Sequence, residues 1–212
     1  MNSHRHTPRG FFIVVEGIDG TGKTTLARNI SRRLESRGFP VVFTFEPTDG
    51  PWGKILRRSF SAPGRLTTEE ELDLFLKDRK EHVKKVVSPS LEQGKIVVCD
   101  RYYFSTMAYQ GARGLNPDEI RKTNEIFAPI PDLVLLLELD PEAAIQRIRE
   151  SRGQLPDNFE QLEYLKRVSQ VFKDLSDQYI ARINAELPPL ELLNAAWQWV
   201  SDLLGNRCFP VL

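Results

Sequence analysis

The feature that most constrains this chain is a glycine-rich segment between an apolar run and a helical pattern. It fits the pattern G-x-x-x-x-G-K-[ST] at every fixed position. Its residues are Gly17, Ile18, Asp19, Gly20, Thr21, Gly22, Lys23 and Thr24. Glycines let successive backbone N–H groups converge on phosphate oxygens, and the following helix directs its positive end to the same place. In such a loop the lysine reaches the outer phosphates and the hydroxyl of the last residue is a Mg²⁺ ligand. The segment therefore predicts a site for a nucleoside triphosphate with Mg²⁺.

Short apolar runs alternate with helical patterns along the chain. The runs predict strands at residues 11–15, 41–45, 96–99, 133–139 and, more weakly, 190–193. Helical patterns cover residues 23–37, 68–87, 142–150 and 161–185, and another begins at Pro117. A capping box is expected at Thr68 and Glu71, and Asn116 is expected to cap the helix that begins at Pro117. Alternating strands and helices predict a doubly wound α/β fold with a parallel sheet, whose ligand crevice lies at the carboxyl ends of the strands.

Length and charge exclude several classes of protein. A chain of 212 residues is close to one domain of about 150 residues with small additions. We expect a disordered tail at residues 1–10 and one domain over residues 11–212. Because 29 basic residues balance 29 acidic ones, a protein that coats nucleic acid is not expected. This balance does not exclude a local cationic pocket, because the net charge does not say where the charges lie. Two cysteines exclude a disulfide scaffold and fit a cytoplasmic protein. No apolar run approaches the roughly 18 residues that span a bilayer, so no membrane segment is expected.

The phosphate loop alone leaves kinases, GTPases and ATPase motors open. An Asn-Lys-x-Asp segment, which would read guanine, is absent from the sequence, and a motor would need a longer chain. Asp100 ends the third predicted strand and Arg101 follows it, which places both at the crevice. A carboxylate there suits Mg²⁺, and a guanidinium suits a phosphate. A structural ion pair at the strand end is the alternative interpretation of these two residues.

Four segments resemble the motifs of the thymidylate kinase family, in register over about residues 11–185. Residues 100–111 resemble its D-R-Y-x-x-S-x-x-A-Y-Q-G signature, and residues 15–25 resemble its form of the phosphate loop. Residues 46–50 (EPTDG) resemble its segment after the second strand, and residues 78–83 its D-R-x-x-H helix. The resemblance implies a P-loop NTPase three-layer fold with a five-stranded parallel sheet and a small lid at about residues 147–160. It also implies that ATP phosphorylates dTMP to dTDP on the way to dTTP.

The resemblance assigns roles to single residues. Phe75 is similar to the aromatic residue that stacks on thymine, although without the family it would be interpreted as core packing. Arg79 and Arg101 are similar to the pair that grips the acceptor phosphate and base. The remaining implied substrate contacts are Asp19 to the sugar 3′-hydroxyl, Glu46 and Pro47 in the loop after the second strand, Tyr109 beside the sugar and Gln110 at the pyrimidine edge. His82 is interpreted as structural.

Family members carry a catalytic arginine either in the phosphate loop or in the lid. Here Gly20 occupies the loop position, so the lid must supply the arginine, with Arg152 the first candidate and Arg149 the second. The lid departs from the bacterial pattern, because Asp157-Asn158 stands where Asp-Arg is common and Pro156 is an extra residue. Phe45 is a second departure, at a position where many bacterial members have Arg.

The predicted catalytic residues are thus Lys23, Arg101, Arg152 and Arg149, and the predicted metal ligands are Thr24 and Asp100. The expected ligands are ATP, dTMP and Mg²⁺, with no nucleic-acid polymer and no membrane. Family resemblance implies a homodimer packed through helices, including the apolar side of residues 83–87. Another nucleotide or deoxynucleoside kinase of this fold, or a nucleotide-binding module without turnover, remains as an alternative.

Overall fold

A single parallel sheet organises the computed structural model, which describes residues 9–60, 64, 66–152 and 158–205, with backbone only at 151–152 and 158–160. The sheet has five strands in the order β2-β3-β1-β4-β5. The strands are β1 (Phe12–Gly17), β2 (Val41–Phe45), β3 (Ile96–Asp100), β4 (Leu133–Glu138) and β5 (Ile180–Asn184). Every pairing between neighbouring strands is parallel, so all carboxyl ends meet at one edge. The predicted α/β architecture with a five-stranded parallel sheet is confirmed.

Helices cover both faces of the sheet. They are α1 (Lys23–Glu35), α2 (Pro51–Ser59), α3 (Thr68–His82), α4 (Ser88–Glu92), α5 (Tyr103–Gly111), α6 (Pro117–Glu125), α7 (Pro141–Arg152), α8 (Asn158–Asp174) and α9 (Pro189–Gly205), and a π-helical stretch (Val83–Val87) joins α3 to α4. α1 packs against α9 and the strands β1, β2 and β3, while α5 packs against α6, α8 and β1. Every residue of β1 and β3 is buried, as expected of continuous apolar strands covered on both faces.

Two predictions near the C-terminus are wrong. The helix predicted over residues 161–185 ends at Asp174, and β5 lies inside the predicted range. The strand predicted at residues 190–193 is part of α9. β5 is an edge strand whose buried Ala181 and Ile183 alternate with exposed Arg182 and Asn184, so it lacks a continuous apolar run. The apolar residues at 190–193 instead begin a helix that packs on α1 and β5.

The N-terminal caps of α3 and α6 can be compared with those predicted from the sequence. The capping box of α3 lies one residue earlier than predicted, because Thr67 and Glu70 exchange the two hydrogen bonds. Glu71 is instead buried. The cap predicted for α6 is confirmed, since the Asn116 side chain accepts a hydrogen bond from the Asp118 N–H at 2.9 Å.

The start of the fold lies slightly before its predicted boundary. Residues 1–8 of the predicted tail lie outside the described residues. Gly10 is buried, and its N–H donates to the Leu91 carbonyl at 2.8 Å. A Cβ added to Gly10 would lie 1.8 Å from the Lys95 carbonyl oxygen, so the close approach of the two backbones requires glycine. Across the described part of the chain, none of the helices combines the length and the apolar character that a membrane span needs.

Candidate active site

The phosphate loop joins β1 to α1 at the carboxyl edge of the sheet. Gly17, Gly20 and Gly22 have φ values of 141°, 85° and 88°. Residues other than glycine rarely adopt this backbone conformation. A Cβ on Gly20 would also lie 2.7 Å from the Ala144 carbonyl oxygen. α1 begins directly after this loop, at Lys23, so its unpaired N–H groups face the loop. The loop therefore has the backbone form that phosphate binding requires.

Lys23 is folded back on its own loop. Its Nζ donates to the Ile18 carbonyl at 2.6 Å, and the side chain is buried. Burial and the positive charge of Arg101 lower the pKa of Lys23 to about 7, despite the opposing carboxylates of Asp19 and Asp100. Triphosphate oxygens in the loop would supply negative charge beside Lys23 and so stabilise its protonated form.

The residues predicted as metal ligands lie together. The Thr24 hydroxyl donates a hydrogen bond to Oδ2 of Asp100, which connects the first turn of α1 to the end of β3. Oδ1 of Asp100 is buried and has no hydrogen-bond partner among the described residues. Mg²⁺ prefers hard oxygen ligands and often uses one carboxylate with substrate phosphates. The Thr24 hydroxyl and the Asp100 carboxylate, one oxygen of which is unsatisfied, therefore fit Mg²⁺ beside the phosphate loop.

Arg101 joins the phosphate loop to the neighbouring helix α5. It has a φ of 69°, and its guanidinium forms an ion pair with Asp19 and donates to the Ser105 hydroxyl at 3.0 Å. The Asp19 N–H in turn donates to the Tyr109 hydroxyl at 3.0 Å. Burial, followed by the carboxylate of Asp19, raises the pKa of Tyr109. Loop and helix thus share one connected set of polar contacts.

A cavity of about 450 Å³ opens beside this contact. All the residues predicted to contact the acceptor line it: Asp19, Glu46, Pro47, Phe75, Arg79, Arg101, Tyr109 and Gln110. These residues come from five parts of the chain that only the fold brings together. The cavity has the size of a small-molecule site, and its lining includes three arginines and four aromatic side chains.

Two of the sequence motifs meet on one wall of the cavity. The Asp78 carboxylate accepts hydrogen bonds from the Thr48 N–H at 2.8 Å and the Thr48 hydroxyl at 2.6 Å. His82 Nδ1 lies 2.9 Å from Glu46 Oε1, and its Nε2 lies 2.6 Å from the Thr44 hydroxyl. The D-R-x-x-H helix therefore holds the segment after β2 in place. His82 binds Glu46 and Thr44 behind the cavity surface, in agreement with its interpretation as a structural residue.

Arg79 is anchored on three sides. Its Nε donates to Glu46 at 2.8 Å, Nη1 to Asn124 at 2.6 Å and Nη2 to Thr106 at 3.0 Å. Burial alone would raise the pKa of Glu46, but the charge of Arg79 and contacts with His82 outweigh it and lower this pKa. The guanidinium is thus fixed in direction before any ligand arrives.

Further polar contacts orient the opposite wall. Gln110 donates to Glu71 Oε2 at 3.1 Å, and the same oxygen accepts a hydrogen bond from Arg113. Because the amide nitrogen of Gln110 faces Glu71, the carbonyl oxygen is the other end of the amide. Phe75 is half-buried, and its ring centroid lies 6.3 Å from that of Phe60. Two aromatic rings therefore border the cavity at this end.

The arginines of the predicted lid are only partly described. Arg149 is exposed on α7, while residues 153–157 and the side chain of Arg152 lie outside the described residues. Arg147 Nη1 donates to the Ala185 carbonyl at 2.9 Å. Arg147 also lines a second cavity, of about 200 Å³, beside Gly22 and Thr25 of the first turn of α1.

Sequence reasoning missed several residues of this site. Ser105 and Thr106 lie within the quoted signature but received no role, although both line the cavity. Arg57 also lines it and donates to the Pro47 carbonyl at 2.6 Å, on the wall that follows Phe45. Glu16 and Glu71 are carboxylates that only the fold shows to be buried. Burial raises the pKa of Glu16, against the hydrogen bond from Ser105 and the charge of Arg101.

Comparison with known proteins agrees with this geometry. The family model for thymidylate kinase matches residues 15–196. The thymidylate kinase of Xanthomonas campestris pv. campestris (strain B100) is 50% identical over 201 residues, which cover 95% of this chain and 87% of that protein. The thymidylate kinase of Desulfotalea psychrophila is 48% identical over 176 residues, which cover 83% and 87%. The loop, the cavity and these matches agree, and the chain belongs to the thymidylate kinase family.

Proposed function

We propose that this protein transfers the terminal phosphoryl group of ATP to the 5′-phosphate of dTMP, forming ADP and dTDP for dTTP synthesis. The observation that carries the proposal is the contact between Asp19 of the phosphate loop and Arg101 of the cavity wall. A triphosphate in the loop and a monophosphate beside Arg101 would meet at this contact. Family membership supports the choice of ATP and dTMP.

On the donor side, backbone N–H groups of the loop and Lys23 would hold the outer phosphates. Thr24 and Asp100 would hold Mg²⁺, which neutralises charge on the phosphates when it is bound. The donor nucleoside would lie next to the first turn of α1, at the cavity beside Gly22, Thr25 and Arg147. These groups orient the terminal phosphoryl group and stabilise the charge that develops on it.

On the acceptor side, an oxygen of the dTMP phosphate is the nucleophile that attacks the terminal phosphorus of ATP. Its second pKa is about 6, so the dianion predominates at pH 7 and no strong general base is needed. Arg101 would hold this dianion against the donor phosphate. An arginine from the lid, Arg152 or Arg149, would add positive charge in the transition state and exclude water when the lid closes.

Recognition of the nucleoside would use the remaining walls of the cavity. Phe75 would stack on thymine, Arg79 would donate to its polar edge, and the Gln110 amide would contact the same edge. Tyr109 would lie beside the sugar, where its ring leaves little room for a ribose 2′-hydroxyl, and Asp19 would approach the 3′-hydroxyl. Pro47 and Glu46 would shape the loop under the substrate. The fixed directions of Arg79 and Gln110 support this assignment, because a rigid pattern of hydrogen-bonding groups discriminates between bases.

We also propose a cytoplasmic homodimer. Ile126 is 84% exposed and Ile130 48% exposed, which supports an apolar contact surface at the end of α6. The side chains of Val83 and Val87 are buried in the core of the protomer, so they pack against the protomer's own residues. Sedimentation at several protein concentrations tests the assembly: a constant dimer mass supports it and a constant monomer mass contradicts it.

An acceptor panel tests the proposed activity. ADP release is measured with ATP, Mg²⁺ and each of dTMP, dUMP, dCMP and thymidine. A kcat/KM for dTMP above that for every other acceptor supports the proposal. A preference for thymidine or dCMP would indicate another kinase of the same fold, and ATP binding without turnover would indicate a binding module.

A further inference from the structure

Glu16 is a buried carboxylate with no part in the proposed chemistry. It is the residue before Gly17 of the phosphate loop, and none of its surface is exposed. Oε1 accepts hydrogen bonds from the N–H groups of Tyr102 at 2.7 Å and Ser105 at 3.1 Å. Oε2 accepts a hydrogen bond from the Ser105 hydroxyl at 2.6 Å. A buried carboxylate is retained only with such partners, and they belong to Tyr102, directly after Arg101, and to Ser105 in the first turn of α5.

The backbone of the turn that contains Arg101 is strained. Arg101 is the one residue other than glycine with a positive φ in the described part of the chain. Such a conformation is sparsely populated and persists where neighbouring contacts enforce it. Here the Arg101 N–H donates to the Val15 carbonyl at 3.0 Å, and Glu16 binds the next N–H, that of Tyr102. Two adjacent residues of β1 thus hold the backbone on both sides of Arg101.

A side-chain relay leads from the same carboxylate to the guanidinium. The Ser105 hydroxyl has one hydrogen, and it is directed to Glu16. The lone pairs of the oxygen are then free to accept from Arg101 Nη1, which lies 3.0 Å away. The carboxylate therefore determines the direction of the hydroxyl, and the hydroxyl determines where one arm of the guanidinium lies.

We propose that Glu16 is a positioning residue for the acceptor phosphate: it sets the place of Arg101 through the Ser105 hydroxyl and the strained turn. The inference rests on the proposed function, in which Arg101 binds that phosphate. Asp19 also pairs with Arg101, but its side chain is 44% exposed and an arriving phosphate competes for the same guanidinium, whereas Ser105 is itself held by the buried Glu16. Because Glu16 precedes the phosphate loop directly, one residue keeps the acceptor arginine in register with the donor site.

Two substitutions separate this role from simple support of the fold. In Glu16→Gln, the amide oxygen can still accept from both backbone N–H groups, so the turn keeps its caps. The amide nitrogen would then donate to the Ser105 oxygen and direct the hydroxyl hydrogen toward Arg101. Ser105→Ala leaves Glu16 on the backbone and removes only the relay. Glu125→Gln is a matched control, because Glu125 at the end of α6 accepts a hydrogen bond from Tyr103 of α5, the helix that contains Ser105, and is not a hydrogen-bond partner of Arg101.

The experiment measures the affinities of dTMP and thymidine, which differ only by the phosphate, by calorimetry on the full chain. We expect Glu16→Gln and Ser105→Ala each to weaken dTMP about tenfold. Thymidine should bind within about twofold of wild type, and the double variant should resemble the single ones because both act through one relay. Arg101→Ala is the reference for full loss of the phosphate contact.

Each result decides the question. Equal losses for dTMP and thymidine, or no loss for dTMP, would overturn the role of Glu16 while Arg101→Ala still weakens dTMP selectively. If Arg101→Ala leaves the dTMP affinity unchanged, the phosphate contact in the proposed function is wrong, and the inference falls with it. If Glu16→Gln does not fold, Ser105→Ala decides alone: a loss confined to dTMP supports the relay and its absence overturns it.

Discussion

Arg79 and Glu46 form an ion pair sealed inside the wall of the acceptor cavity, with Nη2 and Oε2 2.7 Å apart and side chains 1% and 3% exposed. The pair joins α3 to the loop after β2, so the position of each of these segments depends on the other. Removing one partner of a buried pair leaves an uncompensated charge and costs about 3–5 kcal/mol.

Glu46→Gln should therefore lower the free energy of unfolding by about 3 kcal/mol and weaken dTMP binding. Urea denaturation and dTMP calorimetry measure the two effects. Asp49→Asn is the matched control, because Asp49 pairs with Arg57 while 75% exposed and should change stability by less than about 1 kcal/mol. Equal effects of the two substitutions would contradict the importance of burial.

Thr24→Ala should raise the Mg²⁺ concentration needed for half-maximal activity by about tenfold or more. The hydroxyl is the group we assign to the metal, so Thr24→Ser, which keeps it, should stay close to wild type. Mg²⁺ titrations at saturating ATP and dTMP compare the three proteins. An unchanged Mg²⁺ requirement in Thr24→Ala would remove Thr24 from the metal site.

Phe75→Ala should raise the KM for dTMP about tenfold to a hundredfold, because stacking of a base on an aromatic ring contributes about 1–3 kcal/mol. Phe75→Tyr keeps the ring and should keep the KM. The competing interpretation, core packing, predicts a lower melting temperature with little change in KM. Steady-state kinetics and thermal unfolding of the same samples separate the two.

Asp177 supplies a pH-dependent part of the stability. Arg121 donates to both of its oxygens, at 2.7 and 2.6 Å, and these hydrogen bonds lower the pKa of Asp177. A lowered folded pKa means that the stabilisation is complete above the unfolded value of about 3.9 and is lost as the pH falls through the folded pKa. Wild type should exceed Asp177→Asn in unfolding free energy by about 1 kcal/mol at pH 7, and the difference should shrink below about pH 4. A difference that grows toward acid pH would contradict this.

Much of the fold and site could be predicted from sequence because their signals are local. The phosphate loop is one continuous segment, and the buried strands are continuous apolar runs. β5 escaped prediction because its Arg182 and Asn184 point outward from a sheet edge. Glu16 and Glu71 escaped because nothing near them in sequence shows that the carboxylates are buried. Their partners, Ser105 and Arg113, are 89 and 42 residues away.

The central claim is that one phosphoryl group passes directly from ATP to dTMP. Incubation with ATP labelled at the terminal phosphate, dTMP and Mg²⁺, followed by separation of the products, measures this transfer. The account predicts that label moves into dTDP, and that Lys23→Met reduces the rate by about 10²–10³-fold. Label recovered only as inorganic phosphate, or an equal rate in Lys23→Met, would contradict it.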